Sequence, residues 1–127
     1  MTEQEKKFFE EAVEFYKKKD FDKAKEKYEE ILKINPKSSD VYGNLGVIYK
    51  IKGDIQNAIK FYVEAIKLNP KNPFVYNNIG NAFKEIKNYK MAIQAYSDAI
   101  KLNPKDFNAF NNLGIVYESM GDNNRAI

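Results

Sequence analysis

Cysteine and histidine are both missing from this chain of 127 residues. Without cysteine there is no disulfide framework and no thiolate chemistry, a usage that leans toward an intracellular setting. Without histidine the usual general base and the usual metal ligand are gone, and with them every Ser-His or Cys-His arrangement. Carboxylates remain, but nothing in their placement suggests a catalytic pair. No enzyme activity, cofactor or metal is therefore expected. Arginine is almost absent too, with Arg125 standing alone among the basic residues. A nucleic-acid face usually clusters basic side chains and guanidinium forks. Here 21 basic and 18 acidic residues are interspersed, as in Lys23 to Glu30, and the net charge is only +3. That pattern describes a solvated lysine-rich surface, and nucleic acid is not an expected partner. No apolar run approaches the ~20 residues that span a bilayer, and Met1 to Lys7 is too charged for a signal peptide. A membrane is not an expected partner either, and a cytoplasmic address is the default.

Hydrophobic residues at 43% and charged residues at 31% rule out a disordered composition, so the chain is expected to bury a core. Proline is scarce, four in all, yet three of them are spaced evenly. Ile34-Asn35-Pro36-Lys37, Leu68-Asn69-Pro70-Lys71 and Leu102-Asn103-Pro104-Lys105 recur every 34 residues. Asn44-Leu45-Gly46, Asn78-Ile79-Gly80 and Asn112-Leu113-Gly114 keep the same period, and so do Ala24, Ala58, Ala92 and Ala126. Three independent series with one period define an internal repeat.

Each unit reads as two amphipathic helices. In one first helix Val41, Tyr42, Leu45, Ile48 and Tyr49 fall on a single stripe, and Val75, Tyr76, Ile79, Ala82 and Phe83 repeat it. Second helices carry Ile55, Ala58, Ile59, Tyr62 and Ile66, then Tyr89, Ala92, Ile93, Tyr96 and Ile100. Gly53-Asp54 and Gly121-Asp122 are expected to supply turns within a unit, and Lys19-Asp20 and Lys87-Asn88 the less favourable equivalents. Ser38, Asn72 and Asp106 are N-cap types before the next helix, and Pro73 suits a first helical position. Each Asn-Pro pair ends a second helix. Gly46, Gly80 and Gly114 sit in helix interiors, where glycine costs roughly 0.5–1 kcal/mol relative to alanine. The expected reason is a close helix crossing against the small alanines of the second helix, with Ala12 in the equivalent place of the first unit.

The order aromatic, Leu-Gly, Tyr/Phe, Ala, Tyr, Ala, Pro over 34 residues resembles the tetratricopeptide repeat family. Tyr42, Leu45, Gly46, Tyr49, Ala58, Tyr62, Ala65 and Pro70 carry the resemblance in the second unit. Tyr76, Ile79, Gly80, Phe83, Ala92, Tyr96, Ala99 and Pro104 carry it in the third. The first unit departs from the pattern, with Glu11 in place of Leu45 and Ile31 in place of Ala65, as a terminal repeat with one wet side would. The resemblance implies an all-α, right-handed α-solenoid of helix-turn-helix units over residues 1–127. The units run approximately 5–38, 39–72 and 73–106, with a truncated fourth at 107–127. That fourth unit stops inside its second helix, so Ala126 and Ile127 are expected to cover the Leu113/Tyr117 stripe only poorly. The expected consequence is a fragment of a longer protein, or self-association through the open C-terminal end.

The family resemblance also implies a concave groove lined by the first helices, on the side away from the Leu45/Tyr49 stripe. The residues expected there are Asp40, Asn44, Val47 and Ile51, then Phe74, Asn78, Asn81 and Glu85, then Asn108, Asn112, Ile115 and Ser119, with Lys50 and Lys84 at the border. Asn44, Asn78 and Asn112 form a ladder of amides that both donate and accept, suited to the backbone of an extended peptide. Val47, Ile51, Phe74 and Ile115 add apolar patches for a partner's side chains. The expected function is a non-catalytic scaffold or adaptor that binds a peptide segment of a protein partner. Co-chaperone members of the family hold acidic chaperone tails in a clamp of lysines, asparagines and an arginine. Here Phe9 and Val13 stand in the first unit, and Phe74 and Asn78 in the third, so only Asn44 fits and the cations are missing. The segment Asn44-Leu45-Gly46-Val47-Ile48-Tyr49-Lys50 is similar to the superhelical arm of O-GlcNAc transferases. That implies an alternative role as the substrate-recognition arm of such a glycosyltransferase.

Overall fold

Left-handed backbone residues punctuate the chain at Lys19 (φ 63°), Gly53 (φ 84°) and Lys87 (φ 62°), each one turn-maker between two helices. The computed structural model describes the backbone of residues 1–125 and the side chains through residue 121. Helices α1 (Glu3–Lys17) and α2 (Phe21–Ile34) form the first pair, and α3 (Ser39–Ile51) and α4 (Ile55–Leu68) the second. The third pair is α5 (Pro73–Glu85) and α6 (Tyr89–Leu102), and α7 (Phe107–Arg125) follows. At each left-handed residue the last carbonyls of the first helix are taken up by two backbone bonds. Lys19 N–H donates to Tyr16 at 2.9 Å and Asp20 N–H to Phe15 at 2.9 Å, and Gly53/Asp54 and Lys87/Asn88 repeat the pattern. The residue after the turn then caps the second helix: the Asp20, Asp54 and Asn88 side chains accept from the N–H three residues on.

Between pairs, Asn35, Asn69 and Asn103 leave the helical region and accept from the Lys37, Lys71 and Lys105 N–H groups at 3.1 to 3.2 Å. These Asx turns hold the Asn-Pro corners. Tyr42 and Tyr76 hydroxyls donate to the Pro36 and Pro70 carbonyls across the same corners. Asn72 and Asp106 cap α5 and α7 through Phe74 N–H and Ala109 N–H. Ser38 makes no side-chain cap bond; its neighbour Ser39 instead donates to the Ala65 carbonyl at 2.8 Å. That bond ties the start of α3 to α4.

Helices pack with their pair partner and with the next pair, which makes the chain an all-α helical-repeat solenoid. Ala24, Ala58 and Ala92 are completely buried, and so is Ala12. Tyr28, Tyr62 and Tyr96 lie beside them, at most 3% exposed. The glycines correct the expectation of a Gly-Ala crossing. A Cβ on Gly46 would stand 2.6 Å from the Tyr62 ring, and one on Gly80 2.7 Å from the Tyr96 ring. The close approach is helix backbone against a buried phenol, because the flat ring reaches across where alanine is too short. Among the described residues, Gly114 has nothing within 4 Å of the same point.

The three sites therefore answer the same substitution differently. Gly46→Ala or Gly80→Ala gains about 1 kcal/mol of helix propensity but must displace a packed ring at an overpacking cost of about 1–3 kcal/mol. Both variants should unfold at lower urea, whereas Gly114→Ala should unfold at equal or higher urea. Equal shifts of one sign at all three sites would refute the ring contact.

A second correction concerns Gly121-Asp122. No turn forms there, and α7 runs through it to Arg125. The turn at Gly53 is held in place by the helix that follows it and packs back. A new helix after Gly121 would need its own costly nucleus, whereas extending α7 through it adds one hydrogen bond per residue. The poor cover expected from Ala126 and Ile127 falls outside the described residues. On α7 itself Phe110 is 49% and Tyr117 55% exposed, whereas Ala109 and Val116 are fully buried.

Candidate functional site

The odd-numbered helices share one side of the solenoid, and three hollows follow one another along it. The first, ≈ 290 Å³, lies among Val13, Tyr16, Tyr28, Asn44 and Val47. The second, ≈ 280 Å³, takes in Phe9, Asp40, Asn44, Val47, Phe74 and Asn78. The third and widest, ≈ 630 Å³, is set between α5 and α7 and includes Phe74, Asn78, Asn81, Asn108 and Asn112. Asn44 and Val47 belong to both the first and second, and Phe74 and Asn78 to both the second and third. The hollows thus form one continuous groove. Eight of the ten residues singled out for peptide binding meet in it: Asp40, Asn44, Val47, Phe74, Asn78, Asn81, Asn108 and Asn112. Ile51 and Ile115 are exposed at 47% and 40% but line none of the three.

The groove amides fall into two groups. Some are held by the core beneath them. Burial pushes the Tyr28 phenol up, the nearby Tyr16 adds to this, and a hydrogen bond from Asn44 pulls it partly back. Tyr96 donates its hydroxyl proton to Asn81 Oδ1, and burial pushes its pKa up to about 12. The Tyr96 phenol acts as a strut that fixes the direction of Asn81, and Tyr28 lines the first hollow beside Asn44. By contrast, Asn78, Asn108 and Asn112 make no side-chain hydrogen bond to any described residue, which leaves their donors and acceptors facing the open groove.

A second row of amides went unnoticed in the sequence. Asn77 and Asn111 keep the 34-residue period and line the widest hollow with Asn103, Lys105, Asp106 and Phe107. Asn77 donates to Asp106 Oδ2, tying α5 to the corner before α7, while its own Oδ1 is buried without a donor. The period was the available signal, but Gly43 occupies that position in the preceding unit and interrupts the row. Among the described residues no cluster of three or more carboxylates is placed to hold a metal, and no helix is long and apolar enough to cross a membrane.

A solenoid of helix pairs with a continuous groove on its first-helix side defines the class of helical-repeat interaction modules. Tetratricopeptide repeat models match residues 6–38, 39–72 and 61–94, and a TPR repeat model matches 80–121. The chain belongs to the tetratricopeptide repeat family, whose domains are in general non-catalytic protein-interaction modules. It is similar to the crystal structure of MamA, at 30% identity and a TM-score of 0.87, over 99% of this chain and 69% of that one. It shares its fold with the first TPR of Spaghetti (RPAP3), bound to the HSP90 peptide SRMEEVD. That likeness has 19% identity and a TM-score of 0.90, over 95% of this chain and 96% of the other. The Sgt2 TPR domain from Aspergillus fumigatus shares the fold too, at 22% identity and a TM-score of 0.89, over 98% and 83% of the two chains. No curated protein matches the chain.

Proposed function

We propose that this protein is a non-catalytic scaffold that binds an extended peptide segment of a partner along its concave groove. The observation that carries the reading is the continuity of the three hollows through Asn44, Val47, Phe74 and Asn78. A run of amides with free donors and acceptors suits a peptide backbone, which presents both along its length. Val47 and Phe74 offer apolar contact between them. A peptide bound by the first TPR of Spaghetti (RPAP3) makes a peptide the class of ligand to try first. Its acidic sequence is a poor match here, because Phe9, Val13, Phe74 and Asn78 supply no positive charge to pair with carboxylates. Nothing in the groove favours the glycosyltransferase-arm alternative over a scaffold.

The test is an affinity capture from a lysate of the source organism, read by mass spectrometry and followed by cross-linking. Wild type runs beside an Asn44→Ala/Asn78→Ala/Asn112→Ala variant whose helicity has been checked. The variant is expected to lose at least ~10-fold in affinity for a groove-bound partner, since interface energy concentrates in a few residues. A partner held equally by both, or cross-linked only to even-numbered helices, would move the site off the groove.

A further inference from the structure

The groove changes character along its length, and its wide end between α5 and α7 carries features that select among ligands. Seven asparagines line that hollow, with Lys105 and Asp106 as its only charged residues. Asp106 is already occupied: one oxygen caps Ala109 N–H at 3.1 Å and the other accepts from Asn77. Phe74 and Phe107 line the same hollow at 76% and 79% exposure, more than any other large apolar side chain among the described residues. They stand on the first turns of α5 and α7. Exposed rings beside hydrogen-bonding groups are the composition of ligand sites, where apolar walls supply contact and a few polar atoms set orientation. The orphaned Asn77 Oδ1 adds a buried acceptor beside the hollow that still lacks a donor.

We propose that this end of the groove is a selectivity pocket for an uncharged stretch of partner peptide bearing one bulky apolar side chain. That side chain packs on Phe74 and Phe107 while the amides pair with the backbone around it. The inference rests on the groove-binding reading above and narrows it to one ligand class. Charge sets the class. An acidic segment finds one cation, Lys105, and meets the Asp40 carboxylate in the adjoining hollow. A basic segment finds the Asp106 carboxylate already bonded on both oxygens and Asp40 only in the adjoining hollow, so a charge laid against the amides of this end loses hydration without a counter-ion beside it. A neutral backbone has a partner for every group it brings.

The probes are fluorescein-labelled octapeptides of serine and glutamine with one central leucine, phenylalanine or alanine. Each is made neutral, with two glutamates, or with two lysines, and read by fluorescence polarisation. The neutral leucine and phenylalanine peptides should bind, and the alanine centre should weaken them ~10-fold or more. Phe74→Ala and Phe107→Ala should each cost about as much, whereas Tyr117→Ser, on the far side of α7, should cost nothing. All three side chains are more than half exposed, so the variants keep their fold. A preference for the acidic or basic set, indifference to the central residue, or no binding at all would overturn the pocket. Binding that ignores the phenylalanines yet is lost in the Asn44/Asn78/Asn112 variant overturns the pocket and keeps the groove. No peptide binding, together with partner capture equal in wild type and the amide variant, overturns both.

Discussion

Leu45→Glu is expected to split the solenoid between its first and second pairs. Leu45 is 1% exposed and packs with Ala12, Tyr28, Ile31, Val41 and Ile48, which come from α1, α2 and α3. A carboxylate at that point is stripped of water with no cation beside it, at a cost of several kcal/mol. Domains of this size hold only about 5–15 kcal/mol in total. Because each repeat touches only its neighbours, the damage stays at one interface. Urea unfolding followed by circular dichroism should therefore show a lower midpoint, and a smaller slope or two separated transitions. Leu45→Ala, at about 2–5 kcal/mol, should lower the midpoint but keep one transition. A single unshifted transition in the glutamate variant would refute the coupling.

The chain contains its own control for that experiment. Glu11 occupies the position of Leu45 one repeat earlier, and it is tolerated because it is paired and partly exposed. Its carboxylate meets Lys27 Nζ at 2.8 Å and stays 32% exposed, and the Lys27 hydrogen bond holds its pKa below the usual carboxylate range. Lys7 and Glu14, both exposed, stand where Val41 and Ile48 are buried one repeat later. The first repeat thus carries charge at the positions that the second fills with buried aliphatics.

What could be read from the sequence follows the same logic. Ala24, Ala58 and Ala92 are legible because one residue type recurs at a place with no room for another, and all three are fully buried. The Asn-Pro corners are legible because proline acts locally, through its own ring. The partner of Gly46 was not legible. Periodicity announces that a small residue is needed there, but Tyr62 and Ala58 recur with the same period, and only the fold shows which one fills the gap. Gly121-Asp122 failed for a related reason: the dipeptide matches Gly53-Asp54, yet a dipeptide alone does not end a helix, and α7 continues through it. Eight groove residues were legible because each lies on a helix face opposite a strong apolar stripe. Phe107 was not, since its counterpart one repeat earlier is Pro73 and no series runs through it.

Alkaline pH is expected to unfold the protein steeply between about pH 10 and 12, and the cause is the row of phenols under the groove. Tyr28, Tyr62 and Tyr96 are at most 3% exposed, and burial pushes all three upward, Tyr96 to about 12. A raised phenol keeps its proton in the folded state after the unfolded chain has lost it near pH 10. The stability it contributes is complete below that value and is lost as pH rises through the folded value. Each strongly raised tyrosine adds about 1.4 kcal/mol per pH unit to the loss, so Tyr62 and Tyr96 together give about 3 kcal/mol per unit, and Tyr28 acts in the same direction. Tyr96→Phe should lower stability by about 1 kcal/mol at neutral pH, through the lost bond to Asn81. It should also flatten the alkaline slope by about 1.4 kcal/mol per pH unit. Ligand affinity should fall in the same window, because ionised Tyr96 can no longer donate to Asn81. Stability that stays flat to pH 12 would mean that the phenols reach water in the folded state, and the Tyr96 strut would then not fix the groove.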